Sequence, residues 1–324
     1  MQENISDYDK YGYDYEAYWK NPEINRSYEN QAEKTAIKKL LKKVKNRNWF
    51  CDLGAGFGRL FDTYKDHFYN IILMDYSIEN LKKAKEKIIS ETSKDSNPTN
   101  PTNPTQPTNP IFFVAANAYH LPFKPDVLDC LLSVRMIHHM EDPAAMVGEA
   151  SRVIKPKGKL ILEYANKRHF FEIIKAIFKK SKMSPFLLEP KKRGNDLFYN
   201  FHPKYIKNLL LNSGFRILKN ISVSNLRHRI FKKILGAKVM LFLDYIFQPI
   251  FSLMKFGPSI FLLAEKKQEA TNDISITQDQ ELADILICPK CGSDNLIILK
   301  PEIRCKKCER TYPIIDGVYD MRVE

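Results

Sequence analysis

The chain has 324 residues, 44% of them hydrophobic, enough for one full-sized domain plus a small one. Its first twenty residues are acidic and tyrosine-rich, with neither a basic start nor an apolar run, which argues against a secretory signal. The net charge of +13 is concentrated in residues 151–270, where 25 Lys and Arg stand against 7 Asp and Glu, a balance open to a lysine-rich solvated surface or an anionic partner.

In chain order, residues 1–47 read as an aromatic, helical cap. Tyr8, Tyr11, Tyr13, Tyr15, Tyr18 and Trp19 crowd its start, as a flap over a ligand or as an anchor for a first helix. Glu33 to Val44 then places Ala36, Ile37, Leu40, Leu41 and Val44 on one helical face. The apolar run Trp49–Leu53 leads into the glycine loop of "WFCDLGAGFGRL", with Gly54, Gly56 and Gly58. A dinucleotide fingerprint would need glycine at position 59, which is Arg. Asp52, two residues before the first glycine, is a poor neighbour for a pyrophosphate and a good one for a positively charged ligand.

Further strands are expected at Ile71–Met74, Ile111–Val114, Leu128–Val134 and Lys159–Glu163, with helical patterns such as Ile78–Ile89 and Pro143–Val153 between them. This alternation argues for crossover units on a parallel sheet, closed by strands at Phe215–Val223 and Ile260–Ala264. Asp75, about 20 residues past the loop, stands where an acidic residue binds both hydroxyls of a ribose. Residues 97–110, with proline at every third position, form an extended solvated loop. In residues 227–256, Arg227, Arg229, Lys232, Lys233 and Lys238 precede a run rich in Leu, Ile, Phe and Met. That arrangement suits a helix lying in a lipid headgroup layer or a lid over an apolar pocket, and Asp244 in mid-run favours the lid. The run is broken by Asp244, Gln248 and Pro249 and falls short of the roughly 20 residues that span a bilayer. A soluble, cytoplasmic protein is expected, with peripheral membrane contact as the alternative.

A polar linker, 268–280, separates the large domain from residues 281–324. There Cys288, Cys291, Cys305 and Cys308 form two C-x-x-C pairs thirteen residues apart, a spacing that puts four thiolates within reach of one tetrahedral zinc ion. Iron and paired redox cysteines are the alternatives at this spacing. So small a unit has little core of its own, and the metal is expected to stabilise it independently of the large domain. Cys51 and Cys130 lie in apolar runs and read as core residues.

Four blocks in order, "CDLGAGFGRL", "VAANAYHLPF", "LDCLLSVRMIHHMED" and "VIKPKGKLILEYAN", resemble the motifs of class I S-adenosylmethionine-dependent methyltransferases. The resemblance implies an α/β fold over residues 48–267, a Rossmann-like seven-stranded sheet with helices on both faces. It implies Gly54 and Gly56 under the methionine part of S-adenosylmethionine, Asp52 at its cationic amino end directly or through water, Asp75 on the ribose and Tyr76 beside the adenine. Asn117 stands where the family usually has Asp, and its amide oxygen can accept the same bond from the adenine amino group. Ser133 begins the fourth block near the reacting methyl, and His138 and His139 are candidate general bases. Residues 281–324 resemble the zinc-ribbon family that includes the small activator subunit of tRNA, rRNA and translation-factor methyltransferases. That implies a structural ribbon docked on its own methyltransferase domain or on a partner protein. The expected reaction is methyl transfer to an amphiphilic or lipid-like small molecule. RNA or protein acceptors, and a catalytically silent scaffold, are the alternative readings.

Overall fold

The computed structural model describes residues 15–20, 26–95, 109–181, 184–192, 198–227, 231, 234–267 and 281–323. Tyr8, Tyr11, Tyr13, Arg229, Lys232, Lys233, most of the proline-rich loop and the 268–280 linker lie outside the described residues.

Five parallel strands form the centre: β1 (Trp49–Leu53), β2 (Asn70–Asp75), β3 (Ile111–Ala115), β4 (Leu128–Ser133) and β5 (Ile154–Ala165). β1 and β4 are buried along their whole length, because a parallel strand covered on both faces carries a continuous apolar run. Two short strands, β6 (Lys191–Lys192) and β7 (Tyr199–Asn200), pair with each other apart from the main sheet. β8 (Phe215–Val223) and β9 (Ser259–Lys266) complete the seven-stranded order β3-β2-β1-β4-β5-β9-β8, with β9 antiparallel to both neighbours.

The helix Pro143–Val153 starts where Asp142 accepts hydrogen bonds from the amides of Ala144 and Ala145, with proline at its first position. The helix Ser27–Leu41 begins six residues earlier than the apolar periodicity indicates. Its extra turns carry the polar contacts of Tyr28 and Asn30, which a hydrophobic pattern does not register.

Side chains alternate across β1. Trp49, Cys51 and Leu53 enter one core, and Phe50 enters the other together with Ile71 and Leu73 of β2. Cys51 and Cys130 are fully buried.

The C-terminal unit adds β10 (Leu296–Leu299), β11 (Glu302–Cys305), β12 (Thr311–Ile315) and β13 (Val318–Asp320), and these extend the same sheet. β13 pairs in parallel with β3, matching Val318 to Phe113, Tyr319 to Val114 and Asp320 to Ala115. The amide of Lys124 donates to the Ile285 carbonyl and that of Ile287 to the Pro122 carbonyl. Leu282, Ile285, Leu286, Ile303, Tyr312 and Met321 share one continuous core with Trp49, Leu53 and Phe123. This corrects the expectation of an independent small core. The exposed edge of β3 offers a row of unpaired backbone groups and an apolar flank, and the ribbon buries both.

Candidate functional site

The carboxyl ends of β1, β2 and β4 open into a cleft lined by Gly54, Gly56, Asp75, Tyr76, Asn80, Asn117, Arg135, His139 and the apolar residues Ala116, Val134, Met136 and Met140. Ligands of open α/β sheets bind at this edge. A larger depression of about 690 Å³ lies at the amino-terminal edge, among Asn48, His67, Asp129 and Lys155. The Asp129 carboxylate there is already taken by the amides of Asn48 and Trp49 and by Lys155, so we place the functional site at the carboxyl edge.

Gly54 turns the chain at φ 82°, and a Cβ there would meet Met136 Sδ at 3.1 Å, so the loop needs glycine for conformation and for space. Gly58 lies outside the cleft lining; a Cβ on it would press on Ala84 at 3.2 Å. The amides of Gly54 and Ala55 donate to the Met74 carbonyl. Asp75 holds the loop from the other side: its Oδ2 accepts from the Gly56 amide at 2.8 Å and its Oδ1 from the Ser77 amide at 3.0 Å. Asn117 is buried, with Oδ1 accepting from the Tyr119 amide at 2.9 Å.

The structure brings Gly54, Gly56, Asp75, Tyr76, Asn117 and His139 to one cleft, but leaves Asp52, Ser133 and His138 out of its lining. Asp52 lies 1% exposed beneath the loop, with Oδ2 accepting from the Tyr64 hydroxyl at 2.7 Å. The alternation of β1 sets it on the same side as Phe50, whose ring packs 4.5 Å from that of Tyr64. Its carboxylate therefore stands behind the cleft lining, bonded to Tyr64, beneath the loop it was expected to assist. Ser133 is fully buried. The His138 ring packs against Phe198, tilted by 37° at 4.4 Å, with Nδ1 buried and unpartnered, and burial holds its pKa well below the ordinary histidine value. A neutral imidazole that resists protonation is a poor general base. His139 is the histidine that reaches the cleft.

Burial pushes the Asp52 carboxyl up to about 7; the Tyr64 hydroxyl and Arg59 oppose that shift and Asp75 adds to it. A carboxyl raised in the folded state binds its proton more tightly than the unfolded chain does. Its contribution to stability is full below about pH 4, falls as pH rises towards about 7, and is level above that. Asp52→Asn keeps an oxygen for the Tyr64 hydroxyl. It is expected to flatten the fall in melting temperature across that window, and a pH series of thermal melts checks this.

Sequence reasoning did not single out Arg135 or Glu33. Arg135 follows β4 at φ 59°, lines the cleft, and ion-pairs through its guanidinium with Glu33. Glu33 is fully buried and also holds Arg59 at 2.7 Å. Burial alone would raise the Glu33 carboxyl, but Arg135 and Arg59 outweigh it and hold it below the ordinary range. Trp19 lies over Arg59 at 3.8 Å and near Arg135 at 4.9 Å, so the described part of the aromatic cap reaches the rim of the cleft. No local pattern marks these residues, because 102 positions separate Glu33 from Arg135.

In the ribbon, the Sγ atoms of Cys288, Cys291, Cys305 and Cys308 all lie within 4.8 Å of one another. Cys288 to Cys308 and Cys291 to Cys305 are each 3.6 Å apart. A tetrahedron with metal–sulfur bonds of about 2.3 Å has edges of about 3.8 Å, so the donor set fits one ion. Sulfurs in a disulfide would stand about 2.05 Å apart. Each pair is followed by a left-handed residue, Gly292 at φ 71° and Glu309 at φ 58°, whose amides donate back to the Cys288 and Cys305 carbonyls. The ribbon also touches the cleft: Arg322 donates to the Tyr76 carbonyl at 3.3 Å and lies 5.4 Å from the Tyr76 ring.

Residues 51–162 match the family model described as a methyltransferase domain, and residues 279–317 match that of Trm112p-like proteins. An uncharacterized protein of Methanocaldococcus jannaschii is 32% identical over 133 residues, 40% of this chain and 48% of that protein. A demethylmenaquinone methyltransferase of Renibacterium salmoninarum is 25% identical over 111 residues, 34% of this chain and 38% of that enzyme. The chain thus spans less than half the length of these curated relatives. A chain of the complex that contains the Haloferax volcanii Trm112 methyltransferase activator aligns with 83% of this chain and 99% of its own length, at a TM-score of 0.50 and 15% identity, a likeness of fold.

Proposed function

We propose, for a chain that joins a class I S-adenosylmethionine-dependent methyltransferase domain to a Trm112p-like four-cysteine module, that it methylates an amphiphilic small molecule. S-Adenosylmethionine, when bound, supplies an electrophilic methyl group on a sulfonium. The chain's residues have to hold it, align an acceptor and exclude water. Gly54 and Gly56 leave room for the methionine part, Asp75 accepts from the ribose hydroxyls, and Asn117 accepts from the adenine amino group. Tyr76 borders the adenine, backed by Arg322, and Met136 and Met140 supply the apolar wall. His139 is the polar group of the HH pair available to the acceptor. The four ribbon thiolates hold zinc, as their number and spacing favour.

The observation that carries the acceptor class is a second cavity of about 660 Å³ at the same sheet edge, where β5 ends and β9 begins. Phe170, Phe171, Ile250, Phe251, Met254 and Phe256 make it apolar, and Arg227 adds a cation to its lining beside Lys175, which is paired with Glu172. That combination suits a lipid-like molecule with an anionic end. A small-molecule acceptor is also in keeping with the similarity to a demethylmenaquinone methyltransferase.

With methyl-tritiated S-adenosylmethionine and cell extract as the acceptor source, label is expected in the organic-solvent fraction. Label confined to RNA or protein would overturn the acceptor class. Cofactor binding in calorimetry with no label in any fraction would favour a silent scaffold.

A further inference from the structure

The helix Ala237–Met254 is mounted with its polar side inward. Met240, Asp244 and Gln248 are buried at four-residue spacing, and Ser252, one turn on, accepts from the Ser222 amide at 2.9 Å. Asp244 Oδ1 accepts from the Asn225 side chain at 2.6 Å and from the Asn225 amide at 3.2 Å. Gln248 Oε1 accepts from Lys39 at 2.6 Å. The opposite side turns Phe242, Ile246, Phe247, Ile250 and Leu253 to the outside, with Phe242 62% and Leu253 85% exposed. A surface helix of a globular protein normally shows the reverse arrangement. Asp244, which the sequence counts against a lipid environment, is satisfied on the protein side.

The apolar surface continues beyond this helix. Phe170, Phe171 and Lys175 of the helix Phe170–Ile177 share the 660 Å³ cavity with Ile250, Phe251 and Met254. From its end, Ile177, Phe178, Phe186, Leu187 and Leu188 are all exposed. Exposed Lys179, Lys180 and Lys238 lie among these residues, and Lys255 caps the long helix. Of the acidic residues there, Glu172 is paired with Lys175 at 2.6 Å and Glu189 is exposed.

We propose that this face lies on the headgroup layer of an anionic lipid bilayer, the Ala237–Met254 helix in the membrane plane and its apolar side in the acyl boundary. Three observations select lipid as the occupant. The apolar side chains are contiguous over two helices, beyond the scattered exposure of a soluble surface. The interleaved lysines complement anionic headgroups. The polar seam of the long helix is already bonded to the protein body, so the helix meets lipid from one side and does not cross it. A lid over the cavity would turn its apolar side onto the cavity, but Phe242, Ile246 and Leu253 are outside its lining. The inference goes beyond the proposed reaction and uses no property of the cofactor cleft.

Flotation of the full chain with vesicles of mixed phosphatidylglycerol and phosphatidylcholine tests it. The protein is expected to float with the vesicles at low salt, and less with phosphatidylcholine alone. The variant Phe242→Ser, Ile246→Ser, Leu253→Ser is expected to lose vesicle partition by at least about tenfold, with an unchanged melting temperature because these side chains leave the core intact. Absence of the parent protein from the floating fraction at low salt would overturn the proposal, as would equal flotation of the variant. Sedimentation of the parent as a dimer that fails to float, and that this variant dissociates, would assign the face to a second copy instead.

Discussion

Replacement of Cys288 and Cys305 by serine is expected to abolish metal binding and to destabilise the whole chain, not the last 44 residues alone. Two thiolates cannot hold a structural zinc ion, and the apparent binding energy of such an ion in small ribbons is about 10–16 kcal/mol. That is as large as the roughly 5–15 kcal/mol that stabilises a typical domain. The effect spreads because β13 joins the ribbon strands to β3 of the large sheet, and Tyr312 and Met321 belong to the core that contains Trp49 and Leu53. Losing even about 4 kcal/mol of that shared stability would lower the melting temperature by roughly 8–16 °C. Elemental analysis should find one zinc per parent chain and none in the variant. Calorimetry should show a single transition displaced downwards. Two transitions, the upper one at the parent temperature, would restore the picture of independent cores.

Asp75→Ala is expected to weaken S-adenosylmethionine binding by at least tenfold, about 1.4 kcal/mol, measured by isothermal calorimetry. A hydrogen bond to a charged group contributes about 1.5–3 kcal/mol, and on the proposed reading the cleft-lining carboxylate accepts from the ribose. The local geometry adds to the effect, since the same carboxylate holds the amides of Gly56 and Ser77. Alanine removes the ligand contact and slackens the glycine turn together. Asp75→Asn retains one acceptor oxygen and is expected to fall between the parent and the alanine variant. Unchanged affinity in Asp75→Ala would refute the role of Asp75, whatever the acceptor.

Much of the fold is legible locally. The runs Trp49–Leu53 and Phe215–Val223 and the helix Pro143–Val153 stand where the apolar and helical patterns place them. The cleft residues Gly54, Gly56, Asp75, Tyr76 and Asn117 are those that the resemblance to class I methyltransferase motifs implies, and they line one cleft. Asp52 and His138 show the limit. Each lies in a readable motif, yet the partner that holds it, Tyr64 for Asp52 and Phe198 for His138, lies outside that motif.

By itself the sequence determined the parallel sheet, the glycine turn and the four-thiolate set, all of which depend on residue type at short spacing. Tertiary structure alone decided that the ribbon continues the sheet through β13, that Arg135 and Arg59 meet on Glu33, and that the helix Ala237–Met254 presents its apolar side outward. Each joins elements from tens to about two hundred positions apart. Period and spacing report which face of an element is apolar. Whether that face meets the core, a neighbouring domain or the outside depends on what the rest of the chain packs against it.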